Sequence, residues 1–197
     1  MPPAELEVLR VFSEGEIPVA DVRAFLDSIE STYNGLVAFR NLALEWERIY
    51  RSWRRSFRQE PEPYEPYLHP WIDAREPFVS RRERLVLVRV KLESPGFWDF
   101  AGTSAVLGMI LAYIQYFDGR QDRKRKAQLE EVALRLDVVR RAYDLLRAMG
   151  LPEGEADFLL DRWVLKPLDS IWRQHAKGLI QGAEMRGEER DRHEDTY

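Results

Sequence analysis

The chain has 197 residues, 45% of them hydrophobic and 32% charged, with a formal net charge of −4. Such a composition fits one globular domain able to bury a sizeable core, and the slight negative balance gives no global attraction to nucleic acid or to acidic membranes. Zero cysteines exclude disulfides, thiol nucleophiles and thiolate-held metals; the start of the chain lacks the basic and apolar runs of a signal peptide, so a cytoplasmic protein is expected, with membrane association as an open alternative.

Ala4 to Phe12 reads as a first strand whose apolar phase changes from Leu6 and Val8 to Leu9 and Val11, the mark of a bulge or an edge. After the turn at Ser13 to Glu16, Pro18 and Asp21 suit a helix start. Val22, Phe25, Leu26, Ile29, Tyr33, Leu36, Phe39, Ala43, Trp46, Tyr50, Trp53 and Phe57 then keep three-and-four spacing. The pattern predicts one long amphipathic helix, or two hinged at Asn34-Gly35. Its end carries Arg51, Arg54, Arg55 and Arg58, read first as cations offsetting the helix dipole and second as a nucleic-acid or phosphate site. Residues 59–83 form a proline- and aromatic-rich loop, with Pro61, Pro63, Pro66, Pro70 and Pro77 among Tyr64, Tyr67, Trp71 and Phe78, expected to lie over the helices as an extended strap.

Arg84 to Phe117 is expected to be the centre of the molecule. Val86, Val88, Val90 and Leu92 predict a strand face buried along its whole length, and Ser94-Pro95-Gly96 ends the strand. A helix is expected from Phe97 to Phe117, charge-free from Ala101 to Ile114 but short of the ~20 residues a bilayer crossing needs. Ala101, Ala105, Gly108 and Ala112 make a stripe of small side chains along which another element can approach closely. The two strands are expected to pair, in either direction.

Beyond Asp118-Gly119 come Arg120, Arg123, Lys124, Arg125 and Lys126, read first as a solvated helix start and second as a contact for anionic lipid or phosphate. Leu129, Val132, Leu136, Val139, Tyr143 and Leu146 predict a helix of coiled-coil character. Gly150 and Pro152 stop it. A last helix follows from Glu155 to about Ala176, kinked at Pro167 and folded back as a hairpin. The fold expected is therefore α+β and predominantly helical: long amphipathic helices and a C-terminal helical hairpin around a central apolar helix, with a small two-stranded sheet. Residues 1–181 make the domain and 182–197 a mobile charged tail.

No catalytic motif stands out. There is no GxSxG, HExxH or phosphate-binding glycine loop, His69, His175 and His193 stand apart, and carboxylates such as Asp27, Glu30 and Asp99 are too common a type to single out. No catalytic residue, cofactor or metal ligand is assigned. The expected function is a non-enzymatic adaptor acting by self-association, a dimer being favoured, or by docking a protein partner through Trp98, Phe100, Met109, Tyr113 and Phe117. The alternatives are a membrane-peripheral component using residues 97–126 and an enzyme of unrecognised type.

The run Leu85-Val-Leu-Val-Arg-Val-Lys-Leu-Glu-Ser-Pro-Gly-Phe-Trp-Asp-Phe-Ala-Gly102, the apolar helix and basic helix start after it, and the later Lys166-Pro167-Leu168 and Gly178-Leu179-Ile180 resemble a group of uncharacterised small bacterial proteins. The resemblance implies a bacterial accessory component and transfers no catalytic residue.

Overall fold

A computed structural model describes residues 6–13, 17–56, 79–91, 95–118, 137–148 and 150–186. They form a predominantly helical α+β fold whose one sheet is antiparallel. In chain order come β1 (Leu6–Ser13), α1 (Val19–Ser56), a 3-10 turn (Arg81–Glu83), β2 (Val86–Lys91), β3 (Gly96–Thr103) and α2 (Ser104–Asp118). There follow α3 (Asp137–Ala148), α4 (Glu153–Leu160), a π-helical turn (Asp161–Leu165), α5 (Lys166–Ala176) and β4 (Gly182–Arg186). The strand order is β2-β3-β1-β4.

The sheet differs from expectation in three ways. Phe97 to Thr103 is a strand and not a helix start; from Trp98 to Ala101 large residues alternate with a polar or small one, the period of a strand. This extra strand lies between β1 and β2, so the two expected strands never touch. Gly182 to Arg186, expected in a mobile tail, is β4 and pairs with β1; the remainder of that tail lies outside the described residues, as do the expected helix end at Phe57 and Arg58, residues 59–78 of the loop and the helical heptads before Asp137.

Helix α1 is one continuous rod of 38 residues. Gly35 is no hinge; it is a contact. A Cβ there would overlap the backbone carbonyl of Trp163, so only glycine lets α1 lie directly on the π turn. Pro167 follows four residues after Trp163 and has no N–H to give that carbonyl, which explains why the last helix widens to a π turn without breaking. The contact continues along α1 at seven-residue intervals. Ser28 and Ser170 share a hydrogen bond of 2.5 Å between their hydroxyls, Gln174 donates to Ser28 at 3.4 Å, and Lys177 reaches Asp21 at 3.4 Å. Near the end of β3, the Thr103 N–H donates to the Tyr33 hydroxyl at 2.8 Å, and a Cβ on Gly102 would strike the Tyr33 ring at 2.7 Å.

The core lies between the sheet's inner face and the helices, and holds Leu9, Val11, Phe25, Ile29, Ile110, Tyr113, Leu146, Trp163 and Leu168. Phe25 of α1 packs on the rings of Trp98 and Phe100 at centroid distances of 5.5 and 6.1 Å. In α2, Val106, Leu107, Met109, Ile110, Tyr113 and Ile114 are buried, whereas Ala105 and Ala112 face outward and Gly108 has nothing within 4 Å of its would-be Cβ. The small stripe is thus the side of α2 that no described element covers. Between α3 and α4, Tyr143 donates to the Asp157 carboxylate at 2.6 Å, and that bond pushes the phenol up to about 12.

Two glycine substitutions of opposite sign test this packing. Gly35→Ala is expected to cost ~1–3 kcal/mol, since backbone and not a flexible side chain must move, whereas Gly108→Ala is expected to gain ~0.4–1 kcal/mol by stiffening the unfolded chain. Denaturant melts of both variants check it; equal midpoints would mean that α1 does not rest on the Trp163 carbonyl.

Candidate interaction edge of the sheet

Asp99 sits on the face of β3 opposite Trp98 and Phe100, directly across from Arg10 of β1. The two ends of its carboxylate accept from Arg10 Nε at 2.7 Å and from an Arg10 terminal nitrogen at 2.6 Å. The guanidinium lies 3.8 Å from the Phe97 ring centroid. Arg10 is only 7% exposed and Asp99 5%. A forked, charge-assisted pair of this kind is strong once its groups are dry, and the ring supplies a third favourable contact to the cation. In register with this pair stand Arg89 on β2 and Glu184 on β4, so charge alternates across all four strands at one level.

Strands β2 and β4 are the sheet's two edges among the described residues; β2 has β3 on one side and no described strand on the other. Its start is fixed from α1. Glu83 of the 3-10 turn accepts from Arg40 at 2.5 Å, Asn41 at 3.1 Å and Ser80 at 2.8 Å. Burial pushes the Glu83 carboxyl up, yet the hydrogen bonds from Ser80 and Asn41 and the charge of Arg40 together hold it below its ordinary value. Past Leu85, which packs on the core, every residue of β2 is exposed. Val86 is 55% exposed, Leu87 43%, Val88 57% and Val90 39%. This corrects the expectation of a buried central strand. The sheet is wider than the helices that cover it, so its outermost strand overhangs them. A register shift between Leu87 and Arg89 adds local twist at Val88.

The residues expected to form an interaction surface lie elsewhere. Trp98, Phe100, Met109 and Tyr113 are inside the chain's own core, because α1 and the sheet supply the neighbours that a lone reading of α2 lacks. The side chain of Phe117, and all of Arg120, Arg123, Lys124, Arg125 and Lys126, lie outside the described residues. The exposed apolar strand was missed; its signal is the basic Arg89 and Lys91 interleaved with valines, a pattern of edges and not of sheet centres. Among the described residues, no His, Asp and Glu group could hold a metal ion and no helix is long and apolar enough to cross a membrane. Comparison with protein-family models, with curated proteins and with solved structures found no match.

Removing one partner of the Arg10–Asp99 pair leaves a buried charge alone. Asp99→Ala is therefore expected to cost ~3–5 kcal/mol, and the double change Arg10→Met with Asp99→Leu much less. Urea unfolding of the three variants checks it; similar losses in the single and double variants would deny that the pair acts as a unit. The Glu83 clasp is sensitive to acid. A carboxyl whose value is lowered on folding stabilises fully above its unfolded value and loses that contribution as pH falls through the folded one. Glu83→Gln is expected to flatten the decline of stability below about pH 4.5; parallel curves for variant and parent would contradict the clasp.

Proposed function

We propose that this chain is a non-enzymatic interaction module that docks a protein partner or a second copy along the open edge β2. The observation that carries the reading is the exposure of Val86, Leu87, Val88 and Val90 together on one strand whose outer backbone groups face no described strand. An exposed apolar edge is an unfilled template for another strand, and folded proteins that keep one generally use it or block it. The rest of the molecule supports such a role as a frame. The Glu83 clasp to α1 and the Arg10–Asp99 pair hold the edge in place, and α1, with the C-terminal helices packed against it, serves as the rigid body behind it.

The test substitutes apolar contact without adding charge. Val86→Ser with Val88→Ser is expected to leave the melting temperature nearly unchanged, since both sites are exposed, and to abolish concentration-dependent association in light scattering or the retention of proteins bound by the parent. A parent that is monomeric at every concentration, with retained proteins identical for parent and variant, would contradict docking along β2.

A further inference from the structure

The charge around β2 narrows the occupant. Arg81, Arg82 and Arg84 are exposed and form no ion pair with any described residue. Arg89 and Lys91 stand exposed on the strand itself. The one acidic residue between Val79 and Lys91 is Glu83, already held by Arg40, Asn41 and Ser80. The edge therefore offers aliphatic rows beside a positive margin.

Resting on the docking reading above, we infer that the occupant is an extended acidic segment of another protein, which adds beyond β2 as a further strand. Its apolar side chains would lie against Val86, Leu87 and Val90, and its carboxylates would meet Arg81, Arg82 and Arg84. Main-chain bonds supply affinity in this mode, and side chains supply the choice of ligand. A second copy meeting β2 with its own β2 fits less well, because it brings a positive edge to a positive edge. Nucleic acid fits less well too. Single strands bind by stacking bases on aromatic rings, and β2 carries only aliphatic and basic side chains.

Fluorescence anisotropy with the full chain tests the inference. The probes are a labelled peptide of about ten residues alternating valine with glutamate, its lysine-for-glutamate counterpart, and an oligothymidine. The glutamate peptide is expected to bind at least about tenfold tighter than the lysine peptide, as three exposed charge pairs would give. The triple variant Arg81→Glu, Arg82→Glu, Arg84→Glu, with circular dichroism and melting temperature unchanged, is expected to reverse that order. Val86→Ser with Val88→Ser should weaken both peptides. Equal affinity for the two peptides, or none for either, overturns the acidic-strand inference; the docking reading then still stands if the serine variant abolishes association of the parent, and fails with it otherwise. Oligothymidine binding that the triple variant removes and the serine variant leaves intact overturns the inference in favour of a nucleic-acid site.

Discussion

Arg10 and Asp99 meet across the middle two strands of the sheet, and the register of the other elements depends on that meeting. A slip of β1 by one residue against β3 would turn Arg10 toward Phe25 and the helices, leave Asp99 without its partner, and turn Leu9 and Val11 outward. The first displacement strands one charge in an apolar core and leaves the other unpaired, which is far more costly than losing a few contacts. Buried ion pairs add little net stability compared with apolar groups of the same size, but here the pair penalises the wrong alignment strongly. Our hypothesis is that Arg10–Asp99 serves register more than stability.

Once β1 and β3 are fixed, the helices decide which strands are covered. Helix α1 reaches the sheet through Phe25 and Tyr33, and it reaches the last helix through Asp21, Ser28 and Gly35 at seven-residue spacing. Helix α2 lies against β1, β3 and β4. Nothing described extends over β2. The edge is exposed because α2 covers β1, β3 and β4 and stops short of β2.

Much of the helical framework was legible in the sequence, for a physical reason. Long three-and-four periodicity in α1 and the helix stop at Gly150 and Pro152 are local signals that few alternatives share. Strand β3 was not legible because its residues are apolar on one face and continue into an apolar helix, so the period of two runs for only a few residues before it is lost. The Arg10–Asp99 pair spans 89 positions in sequence, and nothing in either neighbourhood names the other. The burial of β2 was misjudged on similar grounds. Alternating valines report that a strand forms, but whether a helix lies over it is decided by residues far away in the sequence. The small stripe of α2 shows the converse. Ala105, Gly108 and Ala112 look built for close packing, yet they leave little apolar area when exposed, so the fold can turn them outward at small cost.

The view of this chain as a frame carrying an open apolar strand rests on the outer backbone groups of β2 being available. Residue-resolved amide hydrogen exchange on the dilute protein measures that directly. The amides of β1 and β3 should exchange slowly, and those of β2 that point away from β3 should exchange at rates close to those of exposed peptides. Uniform slow exchange along Val86 to Lys91 in the isolated monomer would show the edge already occupied, and would contradict the account.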